Sequence, residues 1–150
     1  MMKNLLKLFR KVPKLVGFPL KDQFLLFEAF VVTGFVRAAV LTVPFKKLVS
    51  RLKAGKQERE QNQYNHTDDN RQVIRKVKWA ISIVSKYTPW ESKCLVQALT
   101  AHIMLKKRKI SGTLHLGLKK DESENLVAHA WYISGNIVVT GGRGLWGYTE

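Results

Sequence analysis

The pattern of apolar and polar positions divides the chain into three parts. Residues 1–55 are apolar and basic with few acids, residues 56–70 are polar and poor in aliphatic side chains, and residues 71–150 show regular periodicities. A polar stretch of this kind between two apolar regions is typical of a linker. We therefore predict an N-terminal helical region, a polar linker and a single folded domain.

The N-terminal region predicts one long helix. It begins near Asp22, whose carboxylate can cap the first turn, and extends to about Val43. Pro44 then ends it, because proline lacks the backbone N–H that a helix interior requires. Residues 45–52 are expected to add one or two further turns.

The apolar stretch 24–43 is long enough to be tested as a membrane span. Glu28 and Arg37 lie inside it, and each would cost a few kcal/mol at bilayer depth. Basic residues flank both ends, so no orientation follows. We expect the helix over residues 22–43 to dock on the rest of the chain or on a partner protein. Peripheral contact with an anionic membrane surface is the alternative.

Two helices are predicted in the last part of the chain. The first has apolar residues at helical spacing, with Asp69 or Asn70 as its cap, and Thr88-Pro89 ends it. The second begins at a Ser92 cap and extends to about Lys107 or Arg108. The positions that support these helices are Val73, Ile74, Val77, Ala80, Ile81 and Val84, followed by Leu95, Ala98 and Leu99.

Three strands follow the helices. They are predicted over residues 113–118, 126–133 and 137–140, with a charged loop at 119–125 and a hairpin turn at 134–136. Helices followed by an antiparallel meander predict an α+β fold, with helices packed on an antiparallel sheet.

Composition and charge narrow the class of protein. The chain has 150 residues, one cysteine and a formal net charge of +15. A single cysteine cannot form an internal disulfide, and the N-terminus lacks the features of a secretory signal, so we expect a cytoplasmic protein. The charge favours an acidic peptide, nucleic acid or an anionic membrane surface as partner and does not choose among them. Nucleic acid is not expected, because aromatic residues are not interleaved with the basic ones.

A candidate chemical pair stands out within the predicted domain. Cys94 falls in the first turn of a predicted helix, and His129 falls on a predicted strand 35 residues later. A helix N-terminus and a nearby imidazolium both favour the nucleophilic thiolate. Unpaired backbone N–H groups of the same turn are suited to holding an oxyanion. The alternative is a buried cysteine and a structural histidine, which is common in folded proteins.

No metal or cofactor is expected. The other histidines, His66, His102 and His115, show no ligand spacing with each other or with Cys94. The segment 141–144 is rich in glycine, but it lacks the lysine and the following helix of a phosphate-binding loop.

An ordered set of residues resembles a known family. The set is Cys94-Leu95-Val96-Gln97-Ala98-Leu99, Leu105, Arg108, Gly117, Ala128-His129-Ala130-Trp131 and Gly135, and upstream Glu28-Ala29, Arg37 and Pro44-Phe45-Lys46-Lys47. It is similar to the leader peptidases of lasso-peptide biosynthesis, the stand-alone B proteins with a transglutaminase-like fold. The resemblance spans almost the whole chain.

The resemblance implies a cysteine endopeptidase that removes the leader from a ribosomally made precursor peptide. In that family a separate small protein binds the leader and delivers it, and an ATP-dependent cyclase closes the lasso ring. By matching position, Cys94 is the nucleophile and His129 is the general base and acid. The expected catalytic core is transglutaminase-like or papain-like and covers residues 71–150, and residues 1–55 are a docking extension.

The resemblance supplies no third catalytic residue in this chain. The family often has an aspartate about twelve residues after the histidine, where this chain has Gly141. The predicted hairpin places Gly141 or Gly142 opposite His129. Asn136 is too far along the strand to orient the imidazole. Thr140 and a backbone carbonyl stay open as the group that orients it.

Two other functions remain open at this point. An acyl transferase on the same fold would form the same acyl-enzyme and pass the acyl group to an amine instead of water. A non-catalytic basic protein, binding a partner or a membrane, is the alternative of a different class.

Overall fold

Three helices and a three-stranded sheet form the part of the chain that the structure, a computed structural model, describes. The described residues are 19–44, 68–88, 90, 92–120 and 126–142. The turns predicted over 45–52 and the linker residues 56–67 lie outside them. The elements are α1 (Leu20–Thr42), α2 (Asp68–Tyr87), α3 (Cys94–Lys107), β1 (Thr113–Lys120), β2 (Leu126–Ser134) and β3 (Ile137–Thr140).

Helix α1 confirms the long N-terminal helix, with its start two residues earlier than predicted. Pro19 occupies the cap position, so Asp22 lies in the first turn, where its negative charge is favourable to the helix dipole. The helix ends at Thr42, and the N–H of Val43 donates to Ala39 O at 2.8 Å. Pro44 follows directly, in agreement with its predicted role.

One face of α1 belongs to the core of the domain. It packs against α2 and α3 through residues at helical spacing, namely Leu25, Leu26, Ala29, Thr33 and Val36. Thr33 satisfies its buried hydroxyl by donating to Ala29 O at 2.6 Å. The helix has the length and composition of a membrane span, which on its own is weak evidence because core helices of soluble proteins pass the same test.

An ion pair fixes α1 to the end of α3. Arg108 binds both carboxylate oxygens of Glu28, at 3.3 Å and 2.5 Å, and Lys107 adds a contact of 3.1 Å. Burial raises the pKa of Glu28, but the hydrogen bonds and positive charges of Arg108 and Lys107 outweigh it and leave that pKa lowered. The bidentate geometry is the strong form of an arginine–carboxylate pair. Both Glu28 and Arg108 belong to the ordered set of residues that carries the family resemblance.

Helix α2 shows the predicted apolar face but starts earlier than predicted. Its buried residues are Ile74, Val77, Ala80, Ile81 and Val84. The helix begins at Asp68, inside the range predicted as linker, so Asp69 and Asn70 lie in the first turn and are not caps. Acidic side chains in this turn are favourable to the helix dipole and extend the helix into the polar segment.

The sheet has the order β1-β2-β3, and both strand pairs are antiparallel. Strand β1 is two residues longer than predicted, because Lys119 pairs with Val127 and Lys120 pairs with Leu126. The predicted loop therefore loses its first two residues to the strand. The β2–β3 turn is formed by Gly135 and Asn136, and Gly135 has a φ of 59°.

A β-bulge lies between β2 and β3. Ser134 pairs with Ile137 and Ile133 pairs with Val138, but Tyr132 then pairs with Thr140, so Val139 is the extra residue. This shift moves every later residue of the hairpin by one position relative to β2.

The helices cover the sheet and share one main core with it. Residues from all three helices, β2 and β3 meet in this core, and its largest fully buried side chain is Tyr132. Helix α3 lies on the sheet and contacts all three strands. The predicted α+β fold, with helices on an antiparallel sheet and an N-terminal helix, is confirmed.

Candidate active site

Cys94 is the first residue of α3 and is half-buried. The first backbone amide to bond within the helix is that of Gln97, which donates to Lys93 O at 3.1 Å. The amides of the preceding residues, including that of Cys94, therefore lack a partner within the helix. The thiol thus lies where backbone N–H groups converge at the positive end of a helix dipole.

The residues before Cys94 are arranged differently from the sequence prediction. Lys93 occupies the cap position and its side chain does not cap the helix, so the prediction of Ser92 as the cap was wrong. The Ser92 hydroxyl instead pairs with that of Thr88 at 3.0 Å. The Gln97 side chain donates from Nε2 to Ser92 O at 2.7 Å and ties this segment to the helix. Sequence reasoning missed this role of Gln97.

Trp90 links the segment before Cys94 to α1. Its ring lies 5.0 Å from that of Phe30, centroid to centroid. A Cβ built on Gly34 would lie 3.2 Å from the Trp90 ring, so the absence of a side chain at Gly34 allows this close approach. Helix α1 therefore supports the segment that leads into the nucleophile position.

His129 lies on the central strand β2, next to Gly117 of β1 in the strand register. Its ring stacks on Trp131, two residues along the same strand face, at a centroid distance of 5.8 Å. His115 of β1 also stacks on Trp131, at 5.5 Å. The predicted sharing of one face by His129 and Trp131 is confirmed, and the stack restricts the rotation of the imidazole.

The imidazole of His129 is oriented by the main chain. Its Nε2 lies 2.9 Å from the carbonyl oxygen of Gly141. Because a carbonyl oxygen can only accept a hydrogen bond, Nε2 must carry the proton of this bond. In the neutral ring Nδ1 is then the nitrogen without a proton and is the atom able to accept one. Of the orienting groups left open by the sequence, the backbone carbonyl is the one that makes this bond.

Gly141 itself has a backbone that a side chain would disturb. Its φ is +77°, and an added Cβ would lie 2.6 Å from Ala130 O and from Trp131 Cβ. Because of the bulge, Gly141 lies beside Trp131 and not opposite His129. The register predicted for the hairpin, which placed Gly141 or Gly142 opposite His129, was therefore wrong. The carbonyl of Gly141 nevertheless reaches the His129 ring, because Gly141 follows Thr140, the last residue of β3, and lies outside the sheet.

Cys94 and His129 line the same pocket, which has a volume of about 650 Å³. Helix α2, the start of α3, β2 and the end of β3 contribute its walls. The lining residues are Lys78, Ile81, Ser82, Ser85, Lys86, Cys94, Gln97, His129, Val138, Val139, Thr140, Gly141 and Gly142. No Asp or Glu is among these described lining residues, and two lysines are.

Two hydroxyl groups in this pocket are buried without a hydrogen-bond partner among the described residues. They are Ser85 Oγ and Thr140 Oγ1. Thr140 is only 6% exposed, and it pairs with Tyr132 in the strand register. Buried hydroxyls of this kind are usually satisfied, so these two are exceptions within the described part of the domain. The orienting role left open for Thr140 is not observed.

The described residues offer no cluster of three or more His, Cys, Asp or Glu side chains that could hold a metal ion. What the pocket does combine is a free thiol at a helix N-terminus, a histidine with a fixed tautomer and, beside the thiol, amides that lack a partner within the helix. These are the groups that acyl-transfer chemistry through a thioester requires.

Comparison with known families agrees with this geometry. A search of curated proteins and a search of solved structures each returned no significant match. A family model described as "Transglutaminase-like superfamily" matches residues 38–150, which include Cys94, His129, Gly141 and every element from α2 onward. With three quarters of its length matched and a thiol–histidine pocket on an α+β scaffold, the chain belongs to the transglutaminase-like superfamily.

Proposed function

We propose that the protein is a cysteine peptidase that cleaves the leader from a ribosomally synthesised precursor peptide of the lasso type. The observation that carries this proposal is the common pocket, which is lined by both Cys94 at a helix N-terminus and His129 with a fixed tautomer. The resemblance of the ordered residue set supplies the substrate class.

The reaction begins with proton transfer from the Cys94 thiol to Nδ1 of His129. The thiolate then attacks the carbonyl carbon of the bond that joins leader to core. The resulting oxyanion accepts hydrogen bonds from the unpaired amides at the start of α3. His129 protonates the nitrogen of the core as the carbon–nitrogen bond breaks, which leaves the leader as a thioester on Cys94.

Water completes the cycle. His129 takes a proton from a water molecule, and the hydroxide attacks the thioester carbonyl. The carbon–sulfur bond breaks, the leader leaves with a free carboxylate, and Cys94 regains its proton through His129. The bond from Nε2 to Gly141 O keeps Nδ1 facing the reaction in every step.

Substitution of the nucleophile tests the proposal. The substrate is the precursor peptide encoded beside the gene, supplied with its leader-binding protein. Cys94→Ala should abolish cleavage while circular dichroism and the melting temperature stay unchanged. Ser82→Ala, at an exposed serine of the same pocket, is the matched control and should retain activity. Full cleavage by Cys94→Ala would refute the proposal.

The partners of the reaction belong to the same proposal. A leader-binding protein would deliver the precursor, a lasso cyclase would use the released core, and the reaction would occur in the cytoplasm. The reading frames beside the gene test this directly. A short precursor, a leader-binding protein and a cyclase are expected there, and their absence would count against the lasso assignment alone.

An acyl transferase is the second candidate, because the superfamily includes acyltransferases as well as cysteine peptidases. The same Cys94 thioester would react with an amine in place of water. Mass spectrometry of the leader product separates the two functions. We expect a free carboxylate even in the presence of added amine, whereas an amide product would favour the transferase.

A further inference from the structure

The outward face of α1 is an apolar stripe. Counting from Leu20 at 100° per residue, its members lie within an arc of about 120° on the side opposite the core. The stripe extends over roughly 30 Å, at 1.5 Å per residue. Its residues and their exposed fractions are Leu20 73%, Phe24 75%, Phe27 67%, Val31 50%, Phe35 71% and Leu41 68%. A contiguous exposed apolar surface of this length marks an interaction site.

The sequence of the N-terminal region, residues 1–55, is strongly basic. Its two acids, Asp22 and Glu28, both point to the body of the domain, where they pair with Lys76 and with Arg108 and Lys107. The stripe therefore carries no acid. In the sequence, residues 1–55 hold 11 lysines and arginines against 2 aspartates and glutamates.

We propose that the stripe of α1 lies on an anionic membrane surface, with its phenylalanines inserted at the boundary between headgroups and acyl chains. An amphipathic helix of this kind binds through its apolar area, and nearby basic residues add attraction to anionic lipid. The helix lies flat and does not span the bilayer, because Ala29 and Thr33 on its other face are fully buried in the domain.

Charge also argues against a second copy of this chain as the occupant. Each copy carries a formal net charge of +15, and two such surfaces repel when the stripes meet. Anionic lipid provides the complementary charge that another copy lacks.

The experiment measures sedimentation of the full chain with vesicles. Wild type should bind vesicles of phosphatidylcholine mixed with phosphatidylglycerol and should leave vesicles of phosphatidylcholine alone largely unbound. High salt should weaken binding, because the basic residues contribute through screened charges. The variant with Phe24→Ser, Phe27→Ser and Phe35→Ser should lose at least about tenfold in partitioning, since each phenylalanine contributes buried apolar area.

A matched control separates the stripe from apolar exposure in general. Ile103 is an exposed apolar residue on α3, outside the stripe, and Ile103→Ser should leave vesicle binding unchanged. Circular dichroism of both variants should match wild type. The proposal is overturned if wild type does not bind anionic vesicles or if the triple variant binds them as well as wild type. It is also overturned if light scattering shows a dimer that the triple variant abolishes. None of these readouts depends on the peptidase reaction.

Discussion

The His129 imidazole donates its Nε2 proton to the main-chain carbonyl of Gly141, across 2.9 Å, where the family resemblance leads one to expect an aspartate. The peptide carbonyl thus orients the imidazole, in place of the aspartate side chain expected from the family resemblance. It fixes the tautomer of the ring, and it makes Nδ1 the nitrogen that can accept a proton. The position of this one carbonyl therefore determines which nitrogen of His129 can serve as a base.

Substitution of Gly141 should damage both stability and activity. In Gly141→Ala the new Cβ meets Ala130 O at 2.6 Å and the positive φ is strained. We expect a loss of about 1–3 kcal/mol in the free energy of unfolding and a fall in kcat of more than tenfold, because the carbonyl must move. Denaturant unfolding and single-turnover cleavage measure the two effects.

Gly142→Ala is the control for this prediction. Its Cβ would lie 3.3 Å from Val138 Cγ1, the end of a side chain that can adjust. We expect near wild-type activity and stability from it. Equal damage from both alanines would show that the segment, and not the Gly141 carbonyl, is what matters.

Alkylation of the thiol tests the coupling between Cys94 and His129 without any peptide substrate. Cys94 is the single cysteine, so one iodoacetamide adduct in the mass spectrum reports on it alone. His129→Ala should slow the reaction by about tenfold or more, because the base that withdraws the thiol proton is gone. His115→Ala is the matched control, since His115 also stacks on Trp131. An unchanged rate in His129→Ala would favour the non-catalytic alternative.

The unpartnered hydroxyl of Thr140 predicts an unusual stability result. Thr140→Val should change the free energy of unfolding by less than about 0.5 kcal/mol, or raise it, because no hydrogen bond is lost and an unsatisfied polar atom is removed. Ser134→Ala should cost about 1–2 kcal/mol, since the buried Ser134 hydroxyl donates to Ser111 O at 2.6 Å. Urea unfolding of the two variants gives the comparison, and a larger loss in Thr140→Val would contradict it.

The Glu28 ion pair predicts a pH dependence of stability. The pKa of Glu28 is lowered in the folded chain, so its contribution is fully present above the unfolded value of about 4.3 and is lost as pH falls through the lower folded pKa. Glu28→Gln should therefore cost about 1–2 kcal/mol at neutral pH and progressively less below about pH 4. Thermal unfolding of wild type and variant across this range measures the difference.

Lys76→Gln is the comparison for that measurement. Lys76 pairs with Asp22 at 2.8 Å, but its side chain is 56% exposed, so the solvent screens the pair. The expected cost is below about 0.5 kcal/mol. A cost equal to that of Glu28→Gln would mean that burial and bidentate geometry do not distinguish the two pairs.

Periodicity predicted most of the scaffold correctly. The apolar spacing of α2 and the apolar runs of β2 and β3, separated by turn residues, are strong local signals, and the observed strands begin close to the predicted positions. The position of Pro44 predicted the end of α1 to within two residues. The same local signals predicted Cys94 at a helix start and His129 on a strand. In the structure both residues line one pocket.

The remaining features depend on contacts that local sequence does not encode. The bulge at Tyr132 and Ile133 shifts the hairpin register by one residue, and nothing in the turn residues indicates it. Ser92 looked like a cap, but its hydroxyl is bonded to that of Thr88, four residues earlier, and residue types alone do not decide between these two partners. A backbone carbonyl was left open as the orienting group, but the sequence did not identify that of Gly141, because residue types do not show where a main-chain carbonyl points.

A peptide carbonyl does not titrate in the range where enzymes work. An aspartate that orients a histidine is neutralised in acid and then holds the ring less firmly, which adds a second group to the acid limb of a pH–rate profile. The Gly141 carbonyl keeps its strength as an acceptor at every pH at which the chain stays folded. In the proposed peptidase reaction, the group that orients His129 should therefore add no ionisation of its own to the acid limb of the pH–rate profile.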